Sequence, residues 1–420
     1  MEERLLINGG CRLDGSIKVD GSKNAFLPIL AASVLCDGEI ELDNYVDLTD
    51  LAAMREILKE LNIFSCSDGK KLYIDAKNSK NAKISHELTQ KVRASIFVLG
   101  VLLGKFRSAI IAYPGGCNIG SRPIDIFVKG FKALGVKIVE RHGYIYCHGE
   151  NLKAGEIVMD FPSVGATESF VMCACLLKGR TVIKNAAKEP EIEDLQNFLN
   201  SLGAKISGAG TDCIVIDGVE KLHGGEYKVM SDRIVAGTYL LATTTCGGDV
   251  LLEGADCKHN ESLISFLKQT ACKIEVNGDK IRLKVDKRLS SIEKIDTMPY
   301  PLFPTDLQPQ MMVLQSVSKG VSLLTENLFE NRFGHVPELR KMGADIVVKD
   351  RTAIIKGVEK LYGADVFASD LRAGAALVVA GLKAEGYTTV HNIDYIDRGY
   401  EKIEEKYKLL GAEIKRIKIE

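Results

Sequence analysis

Leu202-Gly203-Ala204-Lys205-Ile206 recurs along the chain with small changes, as Leu61-Asn62-Ile63, Leu134-Gly135-Val136-Lys137-Ile138, Thr270-Ala271-Cys272-Lys273-Ile274, Met342-Gly343-Ala344-Asp345-Ile346 and Leu410-Gly411-Ala412-Glu413-Ile414. The steps between copies are 73, 68, 68, 72 and 68 residues. Spacing that regular marks internal repetition, at a period longer than that of the common solenoid repeats. The same order surrounds each copy. An apolar helix rich in small residues comes first, then a short strand, a polar amphipathic helix, the Leu-Gly-Ala phrase and a hairpin such as TAIIKGVEKL at 352–361. The chain therefore reads as an α/β protein of six α-β-α-β-β units, each preceded by one strand.

With 420 residues and 46% apolar content, the chain has enough material for two cores. Three units per domain is the simplest division. The first helix needs a strand before it, and residues 1–20 supply a hairpin (LLINGGCRLDGSIKVDG) with no partner of its own. That hairpin is expected to complete the second domain. The expected domains are 21–230, and 1–20 together with 231–420.

The first helices of the units are SKNAFLPILAASVL (22–35), RASIFVLGVLLGKF (93–106), SVGATESFVMCACLL (163–177), SDRIVAGTYLLATTT (231–245), TDLQPQMMVLQSVS (305–318) and SDLRAGAALVVAGLKA (369–384). They are apolar on nearly all sides, which predicts burial. Ser22, Ser163, Ser231, Thr305 and Ser369 stand where helix caps belong, and Arg93 opens the remaining helix. A buried helix exposes only its ends. At the amino ends stand Lys23, Asn24, Arg93, Asp232, Arg233, Asp306, Asp370 and Arg372. Free N–H groups and the helix dipole attract anions there, so ends gathered on one cleft would suit a ligand carrying several phosphates.

Lys plus Arg (55) and Asp plus Glu (56) nearly cancel, so no global field draws the chain to nucleic acid or a membrane surface. An anion must be held by a local cluster. The eleven cysteines form no CxxC, and Cys173 and Cys175 lie in an apolar helical run, a pattern of reduced cytoplasmic thiols. The seven histidines show no HExxH or Cys/His spacing, so neither a metal nor another cofactor is expected. The opening MEERLLINGG is charged at once, and no apolar run approaches the roughly 18 residues of a membrane span. A soluble cytoplasmic protein is expected.

One loop stands out chemically. In Gly115-Gly116-Cys117-Asn118-Ile119-Gly120-Ser121-Arg122-Pro123 a thiol sits among glycines, five residues ahead of an arginine. Nearby cations and backbone N–H groups bring a thiol pKa towards ambient pH, where it reacts or donates a proton usefully. The glycines allow the backbone to approach a ligand closely.

Nine segments, in order and along the whole chain, resemble the enolpyruvyl transferases: GSKNAFLPIL (21–30), RASI (93–96), PGGCNIGSRP (114–123), SVGAT (163–167), NAAKEPEI (185–192), FPTDLQPQ (303–310), FENRFGHVPEL (329–339), SDLRAGAALV (369–378) and IDRGYEKIE (396–404). The resemblance implies an inside-out α/β barrel fold in two similar domains, three repeats each, with parallel helices inside and sheets outside. It implies transfer of the enolpyruvyl group of phosphoenolpyruvate to the carbon-three hydroxyl of UDP-N-acetylglucosamine, releasing phosphate, by addition and then elimination.

By the same resemblance Cys117 is the proton donor, able also to form a covalent adduct, and Asp306 the carboxylate that takes the hydroxyl proton. Lys23, Asn24, Arg122, Arg372 and Arg398 fall on phosphoenolpyruvate contacts, with Lys23 also among the catalytic group. Arg93, Arg122, Pro123, Ile124, Asp125, Ile126, Phe161, Pro162, Ser163, Val164, Asp306 and Leu328 fall where the family holds its UDP-sugar. Glu189 and Glu191 are left outside the catalytic set. The chain departs from the family pattern at Phe161, where some relatives carry Lys, at Val235, where an acid is usual, and at Tyr395, where His is common. Two other readings compete: a non-catalytic UDP-sugar-binding regulator, and the shikimate-pathway enolpyruvyl transferase, which lacks the PGGC loop.

Overall fold

A computed structural model describes residues 2–81, 83–113, 115, 119–120 and 124–419. Cys117, Arg122 and Pro123 lie outside the described residues. The chain divides into two compact units, one of Gly21–Cys117 with Arg122–Met230, the other of Met1–Asp20 with Asn118–Ser121 and Ser231–Glu420. Each has its own hydrophobic core.

In the first unit the central helices are α1 (Lys23–Ala32), α2 (Phe97–Phe106) and α3 (Val164–Ala174). Around them lie three sheets, ordered Gly225–Lys228, Glu39–Asp43, Lys71–Asp75, Phe64–Asp68; then Ser108–Ala112, Tyr144–His148, Lys137–Arg141; then Ile206–Ser207, Cys213–Asp217, Arg180–Lys184, Glu156–Val158. Strand Lys71–Asp75 shows why a sheet seals the core. Leu72 and Ile74 are buried while Tyr73 between them is exposed, the period-two alternation of a strand with one wet face.

The second unit repeats the plan around α4 (Arg233–Cys246), α5 (Gln308–Val317) and α6 (Leu371–Lys383). Its amino-terminal strands join separate sheets. Glu2–Asn8 pairs antiparallel with both Tyr387–His391 and Glu413–Ile419, whereas Leu13–Lys18 runs parallel to Gly248–Glu253 with Leu13 opposite Gly248. The third sheet is ordered Lys294–Asp296, Val321–Thr325, Thr352–Lys356, Asp345–Lys349.

Small residues let the central helices pack closely. A Cβ built on Gly100 would sit 2.4 Å from the Ser169 carbonyl oxygen, and one on Gly104 would sit 2.9 Å from that of Cys173. Alanine at Gly100 would push α2 off α3, an overpacking cost of roughly 1–3 kcal/mol.

The caps follow the expectation in part. Ser22 Oγ accepts from the Ala25 N–H at 3.3 Å and Ser163 Oγ from the Ala166 N–H at 3.4 Å. At α4 and α6 the cap is one residue later than expected, on Asp232 and Asp370 in place of Ser231 and Ser369. A carboxylate accepts more strongly than a hydroxyl and gains from the helix dipole, so it takes the position. Thr305 and Arg93 begin short 3₁₀ turns, Thr305–Leu307 and Arg93–Ile96, that lead into α5 and α2. Thr305 is not a cap because it lies inside its turn, after Pro304, and its Oγ1 donates to Glu326 Oε2 at 2.9 Å.

Candidate active site

In the first unit, α1 carries Lys23 and Asn24 in its first turn, both half-buried. Pro28 lies inside this helix and has no N–H, which leaves the Asn24 carbonyl outside the helical ladder. The Lys23 ammonium meets Asp50 Oδ2 at 3.0 Å, with side-chain exposures of 11% and 5%. A charge so little hydrated needs a counter-charge, and Asp50, in the first turn of helix Thr49–Glu60, supplies one. Lys23 is thus held in place as a cation.

The other expected residues of this unit fall as follows. Arg93 is half-buried at the head of its turn, Ile124 and Ile126 are half-buried, and exposed Asp125 opens helix Asp125–Ala133. Phe161 is 46% exposed just before α3, and Pro162, Ser163 and Val164 are half-buried behind it. An apolar ring held in solvent at a helix amino end is available for stacking on a planar ligand group. Deeper in α3, Glu168 is fully buried. Burial, then the charges of Glu191 and Glu189, push its carboxyl well above the usual range.

In the second unit Asp306 forms the focus. Its Oδ1 accepts from Arg332 Nη2 at 3.0 Å and its Oδ2 from Arg372 Nη2 at 3.4 Å. Arg332, 2% exposed, also reaches Asp370 Oδ1 at 3.4 Å and the Thr305 carbonyl at 3.4 Å. Asp370 accepts in turn from the N–H groups of Arg372 (2.9 Å) and Ala373 (3.2 Å). Two arginines and two aspartates therefore interlock at the heads of α5 and α6. Burial opposes the charge on Arg372, but Asp306, Tyr400 and Asp232 outweigh it and raise its pKa, so the guanidinium stays charged. His335 is buried nearby. Burial pulls its pKa down to about 4, Asp370 opposing and Arg332 reinforcing, so it is neutral at pH 7.

Leu328 is half-buried and tied to the same region through Glu326, which has no exposed surface. One oxygen of Glu326 accepts from the Leu328 and Phe329 N–H groups at 2.9 and 3.1 Å, and the other from Thr305. Arg398 is half-buried after the short helix Asp394–Asp397, and Arg416 fixes Asp397 beside it with a two-point contact at 2.8 and 2.7 Å. Among the described residues no group of three His, Cys, Asp or Glu side chains is disposed to hold a metal ion, and no helix is long and apolar enough to cross a membrane.

Of the expected residues, Asp306 and Arg372 are brought into direct contact within the second unit. Arg332, Asp50, Glu326 and Glu168 were not expected. Glu168 had a signal, an acid in a helix apolar all round. Arg332 lay inside the quoted FENRFGHVPEL segment, but nothing in its spacing linked it to Asp306, 26 residues earlier.

Such cation-rich helix heads beside a carboxylate suit binding of an acid phosphate together with proton abstraction from a hydroxyl. Comparison with known proteins gives the same direction. The family model for EPSP synthase (3-phosphoshikimate 1-carboxyvinyltransferase) matches residues 7–407. UDP-N-acetylglucosamine 1-carboxyvinyltransferase 2 of Caldanaerobacter subterraneus subsp. tengcongensis is 50% identical over 98% of this chain and 99% of its own. UDP-N-acetylglucosamine 1-carboxyvinyltransferase 1 of Carboxydothermus hydrogenoformans is 46% identical over 99% and 98%. Among solved structures, the enolpyruvyl transferase NikO from Streptomyces tendae superposes with a TM-score of 0.89 at 24% identity, covering 99% of both chains. EPSP synthase from Acinetobacter baumannii gives a TM-score of 0.74 at 17% identity over 100% of both.

Proposed function

The chain belongs to the enolpyruvyl transferase family, among the UDP-N-acetylglucosamine 1-carboxyvinyltransferases, and from that premise we propose how its residues divide the reaction. The reaction moves the enolpyruvyl group of phosphoenolpyruvate onto the carbon-three hydroxyl of UDP-N-acetylglucosamine and releases inorganic phosphate, a step in making wall peptidoglycan. In the addition, the methylene carbon gains a proton while the sugar oxygen bonds to the neighbouring carbon. In the elimination, that methyl group loses a proton and the carbon–phosphate oxygen bond breaks.

Asp306 takes the hydroxyl proton. Its carboxylate is held between Arg332 and Arg372, two-sided pairing that fixes its direction. Arg372 binds the substrate carboxylate. As that carboxylate engages the guanidinium it competes with Asp306 for the same donors. Lys23, with its charge secured by Asp50, and Arg398 hold the phosphate, with Asn24 beside Lys23. Cys117 and Arg122 are assigned proton donation and phosphate binding on the family resemblance. Arg93, Pro123, Ile124, Asp125, Ile126, Phe161, Pro162, Ser163, Val164 and Leu328 hold the UDP-sugar. On this reading of the reaction we assign the protein to the cytoplasm.

The observation that carries this assignment is Asp306 fixed between two buried arginines at the heads of two central helices. The test is phosphate release from phosphoenolpyruvate with UDP-N-acetylglucosamine or shikimate 3-phosphate as acceptor, in the wild type and Asp306→Ala. Release that needs the UDP-sugar and collapses in the variant supports the assignment. Release with shikimate 3-phosphate alone, or undiminished release in Asp306→Ala, contradicts it.

A further inference from the structure

Behind Arg372 lies a polar cluster that the reaction as described does not use. Tyr400, 2% exposed, places its Oη 2.8 Å from Thr238 Oγ1 on α4, 3.2 Å from Gln310 Nε2 on α5 and 3.3 Å from Arg372 Nη1 on α6. The three central helices of the second unit meet at this one hydroxyl. Gln310 Nε2 also reaches Thr238 Oγ1 at 3.1 Å, and both Gln310 and Thr238 have no exposed surface.

Either oxygen could donate in the 2.8 Å contact between Thr238 and Tyr400, and because Thr238 Oγ1 donates to the Ile234 carbonyl at 2.8 Å, we assign Thr238 as the acceptor there. Tyr400 therefore donates to Thr238 and can only accept from Arg372, whose nitrogens are all donors. The result is a one-way chain from Arg372 through Tyr400 and Thr238 to the backbone of α4. The aromatic ring adds a second hold, with the guanidinium carbon 5.6 Å from its centroid.

We propose that Tyr400 is a positioning residue for enolpyruvyl transfer, its hydroxyl holding Nη1 of Arg372 so that Nη2 stays directed at Asp306 and the guanidinium stays set for the substrate carboxylate. This rests on the assignment of Arg372 given above. A hydroxyl suits the task better than an acid would. A carboxylate at this place would satisfy the arginine charge and compete with the substrate, whereas a hydroxyl fixes direction and leaves the charge to be met by Asp306 and the ligand.

Tyr400→Phe removes the oxygen and keeps the ring. Binding is measured by calorimetry, titrating phosphoenolpyruvate and UDP-N-acetylglucosamine separately into free protein, so that no turnover occurs. A hydrogen bond to a charged group predicts a loss of about tenfold or more in phosphoenolpyruvate affinity. UDP-N-acetylglucosamine affinity should change by less than about threefold, and in turnover the KM for phosphoenolpyruvate should rise more than kcat falls. Thr238→Val, which removes the acceptor of the Tyr400 proton, should shift the same constant in the same direction. Unchanged phosphoenolpyruvate affinity in Tyr400→Phe, or equal losses for both ligands, overturns the proposal. A wild type that binds UDP-N-acetylglucosamine but no phosphoenolpyruvate overturns the functional assignment as well.

Discussion

Replacing Arg332 with Met should destabilise the second unit more than any other single change at the site. The Arg332–Asp370 pair is 2% and 7% exposed, and removing one member of a buried pair costs about 3–5 kcal/mol because the other charge is stranded. Asp370 keeps its bonds from the Arg372 and Ala373 N–H groups, which favours the lower end of that range. The pair with Asp306 is 31% exposed on the acid side, so its loss adds no more than about 1 kcal/mol. The total is about 4 kcal/mol, and at about 2–4 °C per kcal/mol for a unit of some 200 residues it lowers the melting temperature by about 8–16 °C. Differential scanning calorimetry at neutral pH and low salt reads this directly. Arg332→Lys keeps the charge, but one nitrogen cannot span both carboxylates, so it should lie between Met and wild type. A melt of Arg332→Met within about 1 °C of wild type would show that the loss of Arg332 does not strand Asp370.

Asp306→Ala should lower kcat by about 10²- to 10⁴-fold, the usual worth of a positioned base, while calorimetry still detects UDP-N-acetylglucosamine binding. Asp194 gives a pH prediction: burial lifts its carboxyl from 3.8 to about 6, although Tyr227 and the Met230 N–H oppose the rise. The folded state then holds a proton that the unfolded chain has released, so this contribution is full below pH 3.8 and lost as pH rises through about 6. Urea unfolding should show stability falling across that window in the wild type and a flatter profile in Asp194→Asn. Thiol reactivity should follow burial. Brief iodoacetamide treatment at pH 7.5 should label exposed Cys66, as read by peptide mass mapping, and spare Cys36, Cys147 and Cys173, which burial pushes up to about 12.

Much of the fold was legible because the repeat writes the same constraint six times. Apolar helices with small-residue faces, such as Gly100 and Gly104 on α2, can only be interior, and alternating strands such as Lys71–Asp75 can only be a covering layer. The helix heads were legible for the same reason, since a buried helix has nowhere else to place Lys23, Asp306 or Arg372. The partners of those residues were not. Asp50 lies 27 positions from Lys23, Arg332 lies 26 from Asp306 and Tyr400 lies 28 from Arg372, and no local pattern encodes contacts at such separations. The caps at Asp232 and Asp370 were misplaced by one residue because Ser-Asp offers two acceptors in a row, and the choice between them is made by geometry and charge.

Identifying the product decides whether the chain transfers the enolpyruvyl group. Wild-type protein is incubated with phosphoenolpyruvate and UDP-N-acetylglucosamine, and the mixture is followed by proton and phosphorus magnetic resonance. A new vinylic methylene on an enol ether at carbon three of the sugar should grow in step with inorganic phosphate. UDP-N-acetylglucosamine that is bound yet stays unmodified while phosphoenolpyruvate persists would contradict enolpyruvyl transfer and point to a UDP-sugar-binding regulator.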